Sequence, residues 1–317
     1  MTSDTTDSRD SGRSVANGIP PKSHAPRMFD RIAPRYDLLN RLLSMRRDIV
    51  WRRRLAAMIP DGDRLQVLDV ATGTADVILT ILKRRANVAD GIGLDMAGQM
   101  LLLGQKKATA DGFRDRLGFV HGDALSLPFA SESFDAVTIA FGIRNVVDVP
   151  LALREMQRVL KPGGTLIVTT PNVLHLEGRL SFLLTGHPRR NRSPVVSSAQ
   201  YWGCSSNSPR TAESVYFGHV FLINTFQLRF YLEHAGFEVL GVNTTRYSLS
   251  SVLLFPFLYP FVWLTTSRLL GNKRKAKLTR SVKKIFMKQI LSPHVLFGRR
   301  LVMIARKLPA PQSNQPD

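Results

Sequence analysis

The stretch Gln66-Val-Leu-Asp69-Val-Ala71-Thr-Gly73-Thr74-Ala75-Asp76 constrains the fold more than any other part of the chain. A β-favouring apolar run enters a turn of small residues. Apolar positions with helical recurrence, Val77, Ile78, Ile81 and Leu82, follow it. Strand, tight turn and helix in that order place backbone N–H groups and a helix N-terminus against a ligand. Small residues at Ala71, Gly73 and Ala75 let the main chain approach that ligand closely. A second strand, Gly91-Ile-Gly-Leu-Asp95, ends in an acid about twenty residues on, where a carboxylate meets the two hydroxyls of a ribose. The turn reads A-x-G-x-A and not G-x-G-x-x-G, so a dinucleotide diphosphate cradle is poorly supported. An ordinary strand–turn–helix is the plain alternative.

The rest of the chain repeats the alternation. Met96–Ala110 has a helical pattern, and Leu117-Gly-Phe-Val-His-Gly-Asp123-Ala124 reads as a third strand ending in an acid and a small residue. A buried fourth strand from Ser133 to Ala140 runs into the loop Phe141-Gly-Ile-Arg144-Asn145. A helix over Asp148–Leu160 stops at Lys161-Pro-Gly-Gly164 and turns into a strand over Thr165–Thr170. Val220–Gly236 reads as a helix with Leu228, Tyr231 and Leu232 inward, followed by strands from Phe237 and from Arg300. Alternating strands and helices predict an α/β fold with a parallel sheet covered on both faces. Ligands then bind at the carboxyl ends of the strands. Asp69, Thr74, Asp95, Asp123 and Ala140 all fall at or near such ends.

The short-spaced loop at Ala71–Ala75 resembles motif I of class I S-adenosylmethionine (SAM) methyltransferases, and Lys-Pro-Gly-Gly occurs across that class. The resemblance implies a Rossmann-like seven-stranded sheet whose last strand inserts antiparallel, with SAM as the cofactor. It implies Asp95 as the ribose acid, Asp123 as the partner of the adenine amine and Ala124 beside the ring. Asp69, Ala71, Gly73, Thr74, Met96 and Ala140 complete the implied cofactor contacts. Tyr36-Asp-x-x-Asn40-x-x-Leu43-Ser44, with Trp51 beyond it, resembles the first signature of the ubiquinone/menaquinone biosynthesis C-methyltransferases. Phe141-Gly-x-Arg144-Asn145 is a feature of the same family, which usually has a His where this chain has Asp48 and a Met at Leu39. This narrower resemblance implies C-methylation of a polyprenyl quinol, with Tyr36, Asp76, Arg144 and Asn145 lining the acceptor pocket. Arg144 has too high a pKa to serve as a base, so its expected role is to orient a water or hold the phenolate. The family pattern covers residues 28–168. Beyond Val168 the chain resembles another branch of the class, several members of which act in cell-surface glycan or lipid pathways. A lipid-linked sugar or another small molecule is therefore the alternative acceptor, and a membrane-binding module without activity is a third reading.

Charge sets the expected partner of the C-terminal half. The formal net charge is +20, and residues 171–317 carry 20 Lys/Arg against 5 Asp/Glu, whereas residues 1–170 carry 24 against 19. Leu249–Leu264 is apolar and aromatic but interrupted by Pro256 and Pro260. It is expected to break there and to fall short of the ~20 residues of a spanning helix. The basic run from Lys273 to Lys288, with Leu278, Val282, Ile285 and Phe286 on one helical face, suits an anionic membrane surface. No aromatics interleave the basic residues for stacking bases, which argues against nucleic acid. The seven histidines lack ligand spacing, so no metal is expected. A single cysteine, Cys204, excludes an internal disulfide framework and agrees with a reducing compartment. No secretory signal is visible, and the expected location is cytoplasmic, peripheral on the inner face of the cell membrane. The expected organisation is a disordered tail over 1–27, a methyltransferase domain over 28–248 plus 299–308, a membrane-associating insertion over 249–298, and a tail over 309–317. Arg189–Pro209, rich in Ser, Asn, Pro and Arg, reads as a lid loop.

Overall fold

The computed structural model describes residues 25–44, 47–185, 223–271 and 280–309. The expected N-terminal tail, the Arg189–Pro209 loop, the basic residues 273–277 and the C-terminal tail lie outside or almost wholly outside those residues. Seven strands form one sheet: β1 (Leu65–Val70), β2 (Val88–Asp95), β3 (Leu117–His121), β4 (Phe134–Ala140), β5 (Leu160–Pro171), β6 (Phe237–Thr244) and β7 (Arg300–Lys307). Their order is β3-β2-β1-β4-β5-β7-β6. The first five run parallel, and β7 pairs antiparallel with both β5 and β6, as expected.

Burial on both faces explains the near-continuous apolar strands. Successive residues of β1 serve opposite cores, because a strand has a period of two. Leu68 and Val70 pack with Val137 and Ile139 beneath α5 (Val149–Val159) and α7 (Thr225–His234). Val67 packs with Ala136 and Ile167 beneath α2 (Arg47–Ala56) and α3 (Asp76–Arg84). A smaller cluster at Ala33, Ala97 and Met100 joins α1 (Ala25–Ser44) to α4 (Gly98–Ala110). Caps fix the helix starts: Asp148 accepts from Leu151 N–H, and Asn224 with Gln227 forms a capping box.

Some boundaries differ from the sequence expectation. α1 begins at Ala25, inside the expected tail, and α4 begins at Gly98 because Asp95 and Ala97 are used in the turn before it. Lys161–Gly164 belongs to β5, with Gly163 in the left-handed region at φ 75°.

The main correction concerns the insertion after β6. It does not break at the prolines. α8 (Leu249–Gly271) is one continuous helix of 23 residues containing Pro256 and Pro260. A proline removes one helical hydrogen bond and crowds the carbonyl four residues back. Spaced four apart, these two place both lost bonds on one side, and the remaining bonds carry the helix through. The apolar run also continues past Leu264, because the Thr265 hydroxyl returns to the carbonyls of Phe261 and Val262. Leu249–Arg268 is thus a 20-residue segment long and apolar enough to cross a membrane, and only 17% of it is buried. That exposure is unlike the helix of a protein core, which is mostly buried. α6 (Leu176–Thr185), α9 (Arg280–Ile290) and α10 (Pro293–Phe297) complete the fold.

Candidate active site at the carboxyl ends of the central strands

The turn after β1 is built from alternating left-handed residues: Ala71 (φ 54°), Gly73 (φ 59°) and Ala75 (φ 62°). Two of them are alanines, each costing roughly 1–2 kcal/mol of backbone strain, so the turn must be held by its surroundings. Asp95 holds it. Its Oδ2 accepts from Gly73 N–H at 2.8 Å and its Oδ1 from Ala97 N–H at 2.8 Å, while Thr72 N–H donates to the Leu94 carbonyl at 3.0 Å. Asp95 therefore stitches the ends of β1 and β2 together, and burial raises its pKa against those stabilising amides.

Asp69 sits on the floor. Thr138 Oγ1 donates to its Oδ1 at 2.5 Å and Thr72 Oγ1 to its Oδ2 at 2.7 Å. Burial dominates its ionisation and pushes the carboxyl up to about 6. Between about pH 4 and 6 the folded protein holds a proton that the unfolded chain has released. Stability therefore falls as pH rises through that window, by about 3 kcal/mol for this group. Asp69→Asn should consequently cost less stability at pH 7 than at pH 4.5. Urea unfolding at the two pH values measures this, and an equal cost at both would remove Asp69 as the source.

The helical cover is joined to the loop by an ionic network. Thr74 Oγ1 donates to Asp37 Oδ1 at 2.7 Å, and Lys107 Nζ reaches Asp37 Oδ2 at 2.5 Å, Asp76 Oδ1 at 2.6 Å and Thr74 Oγ1 at 2.9 Å. Arg52 bridges Asp76 Oδ2 at 2.9 Å and Asp48 Oδ2 at 2.7 Å. The N-terminus of α3 is thus tied to α1, α2 and α4.

Beneath this cover lies a cavity of about 440 Å³. Asp69, Ala71, Gly73 and Thr74 form one side, with Tyr36, Trp51 and Arg52 above. Phe141, Arg144, Pro171 and Arg300 form the far side. Trp51 meets Phe141 edge to face at 5.2 Å, and Arg144 lies 5.9 Å over Phe141. Of the expected acceptor residues, Tyr36, Asp76 and Arg144 come together here, and so do Asp69, Ala71, Gly73, Thr74 and Ala140 of the expected cofactor residues. Asp95, Met96, Asp123, Ala124 and Asn145 are not in the cavity wall. Asn145 ends the 3-10 turn Gly142–Asn145, and Asp123 Oδ1 accepts from Leu125 N–H at 3.0 Å in a turn of its own. Met96 is exposed, with its carbonyl bonded to His121 Nε2. Sequence reading carried Asp37 only as part of the Tyr36-Asp-x-x-Asn40 signature and missed Arg52, Lys107, Arg299 and Arg300. Their partners lie on other elements, so no local spacing marks them.

A nucleoside sulfonium fits this end of the sheet on one direct observation. Gly73 lines the cavity, and no other group of the chain comes within 4 Å of where a side chain on it would begin, so the turn leaves room for a ligand to lie against its backbone. The parallel sheet with an antiparallel seventh strand, and an acid-stapled turn at its carboxyl edge, is the class I SAM-dependent methyltransferase fold. Solved structures agree on the fold. They include the [4+2]-cyclase SpnF (TM-score 0.54, 21% identity, 91% of this chain and 97% of that one). A SAM-dependent methyltransferase of Thermotoga maritima, described as a possible histamine N-methyltransferase, gives a TM-score of 0.52 at 18% identity over 89% of this chain and 99% of that one.

The chain belongs to the ubiE/COQ5 methyltransferase family, whose model matches residues 22–177. The demethylmenaquinone methyltransferase of Thermotoga maritima is 46% identical over 167 residues, 51% of this chain and 70% of that protein. That of Thermus thermophilus is 52% identical over 141 residues, 44% of this chain and 63% of that protein. The UbiE C-methyltransferase of Geotalea daltonii is 48% identical over 141 residues, 44% of this chain and 60% of that protein. The chain thus spans about three-fifths of the length of the latter two. Family and fold together imply SAM as the cofactor.

Proposed function

We propose that the protein is a SAM-dependent methyltransferase that C-methylates a polyprenyl quinol at a membrane surface. The observation that carries this reading is the cavity joining Gly73 and Thr74, on the cofactor side, to Tyr36, Phe141 and Arg144, the residues of the quinone-family signatures. Asp95, with a lone pair on each oxygen beyond its two amide bonds, holds the ribose. Gly73 and Thr74 line the methionyl arm, and Asp123 and Ala124 receive the adenine. When bound, the cofactor supplies an electrophilic methyl group on a sulfonium.

The remaining work belongs to the chain. Ring-carbon methylation requires a quinol phenol to lose its proton, so that electron density reaches the carbon. Asp76, held between Lys107 and Arg52, is the carboxylate to which a water held by Arg144 relays that proton. Trp51 and Phe141 keep other water out and align the ring, which an in-line displacement needs more than it needs a covalent intermediate.

The membrane part of the proposal rests on an apolar face. Leu249, Leu253, Phe257, Phe261 and Leu264 follow one side of α8, and all are exposed, Phe257 by 78%. Phe182, Leu183 and Leu184 at the end of α6 are exposed as well. Lys284 and Lys288 of α9 are also exposed, and the C-terminal half carries the excess of basic charge. An apolar wedge flanked by cations suits an anionic leaflet, and this supports a peripheral location on the inner face of the cell membrane. α9 is not wholly free for this, because Phe286 stacks on Phe226 of α7 at 4.4 Å.

The test is incubation with labelled SAM and anionic phospholipid vesicles carrying demethylmenaquinol. Label should appear in the extracted quinone. Label in a glycolipid instead would favour the alternative acceptor, to which the chain beyond the family match at residue 177 lends weight. Phe257→Asp combined with Phe261→Asp should cut transfer to the vesicle-borne acceptor by about tenfold or more, since each buried Phe is worth roughly 1.5–3 kcal/mol. Binding of S-adenosylhomocysteine should be unchanged.

A further inference from the structure

Arg300 is the first residue of β7, and because β7 runs antiparallel it lies beside Pro171, at the carboxyl end of β5. Its carbonyl accepts from Thr244 Oγ1 at 2.6 Å, which fixes the backbone. Its side chain turns into the cavity. The guanidinium lies 5.7 Å over Trp51 and 5.5 Å over Phe141, wedged against the two rings that form the cage.

Two of the other cavity cations differ from it. Arg52 is committed to Asp48 and Asp76. Arg299 is committed to Glu177 at 2.8 Å. Among the described residues, Arg300 has no carboxylate and no hydrogen-bond acceptor for its guanidinium. A half-buried guanidinium without an acceptor in the protein is left to solvent, and an incoming oxyanion exchanges that solvent for a charge-assisted hydrogen bond. Burial lowers its pKa first, and the charges of Arg52 and Arg246 push the same way against the opposing pull of Asp48.

We infer that Arg300 is an oxyanion subsite in the acceptor half of the cavity, holding the deprotonated phenol oxygen of a quinol ring that lies against Trp51 and Phe141. This rests on the quinol reading above and adds a residue that the family match, ending at residue 177, does not reach. Arg300 thereby selects acceptors that are acidic ring hydroxyls over neutral rings of the same shape. It is placed on the β4–β5–β7 side, away from Asp95 and Gly73, so it reads the acceptor and not the cofactor.

The experiment measures binding of 2-hydroxy-1,4-naphthoquinone, an anion at neutral pH, against its neutral methyl ether. Both are tested on a Cys204→Ser background, which removes the chain's one thiol and with it covalent addition to the quinone. The anion should bind more tightly than the ether. Arg300→Met should reduce that preference by about ten- to a hundredfold, the range of a charge-assisted hydrogen bond. Arg300→Lys should keep part of it, because the charge remains and the planar fork is lost. S-adenosylhomocysteine affinity should not change in either variant, which also shows that they fold. A preference that survives Arg300→Met overturns the subsite. A matching fall in S-adenosylhomocysteine affinity overturns it too, reassigning Arg300 to the cofactor's carboxylate. If neither naphthoquinone binds while S-adenosylhomocysteine does, the quinol reading itself falls, and the subsite with it.

Discussion

Asp95→Ala is expected to lose about a hundredfold to ten-thousandfold in affinity for S-adenosylhomocysteine. Two hydrogen bonds from ribose hydroxyls to an ionised carboxylate contribute roughly 1.5–3 kcal/mol each. The same oxygens accept from Gly73 and Ala97 N–H at 2.8 Å, so the substitution also leaves two backbone donors without their acceptor and frees a turn that contains two left-handed alanines. Asp95→Asn is not a mild control. Its amide nitrogen would face one of those N–H groups donor to donor. Isothermal titration calorimetry reads the outcome directly. Unchanged affinity in Asp95→Ala would move the cofactor off this end of the sheet.

The second large effect is expected from Arg52→Met. Arg52 bridges Asp48, which is 3% exposed, and Asp76. Removing one partner of a buried ion pair is far worse than replacing the whole pair, at about 3–5 kcal/mol. The loss should appear chiefly as release of α2 from α3, with α1, which packs on α2, loosened in turn, because the rest of the core, including Leu68, Val137 and Leu166, does not depend on this network. Limited proteolysis should cut between residues 25 and 56 well before the sheet is attacked. Chemical denaturation should show an early phase of that size. Simultaneous replacement of Arg52, Asp48 and Asp76 by apolar residues of similar volume should restore most of the stability while leaving methyl transfer absent. A single, undisturbed unfolding transition in Arg52→Met would show that the cover is held by apolar contact alone.

The sheet was legible because its signals are local. The run Gln66–Val70, the small turn, the acid at Asp95 and the buried strand to Ala140 each fit within a window of a few residues. The antiparallel last strand followed only from the likeness to the class, since nothing within Arg300–Lys307 encodes its direction. Of the ionic network only Asp76 was marked in advance, and that through the family likeness, not as an ion-paired residue. Asp37, Arg52, Asp76 and Lys107 come from four helices, and any charged residue on a helix reads as a solvated one until its neighbours are known. Arg300 was missed for the same reason: it enters the cavity only through the pairing of β5 with β7, some 130 residues apart in sequence. The helix α8 shows the opposite failure. Local rules gave too much weight to Pro256 and Pro260 and too little to an apolar run that continues past the threonines.

One small junction has a wider meaning. Glu177 on α6 accepts from Arg299 at 2.8 Å and from Ser250 of α8 at 2.6 Å, and Arg299 also donates to Ser248. Both greasy helices are therefore anchored to the residue immediately before Arg300. A load placed on either helix reaches the rim of the chamber through a single peptide unit, so seating on a bilayer and shaping of the chamber share one mechanical joint.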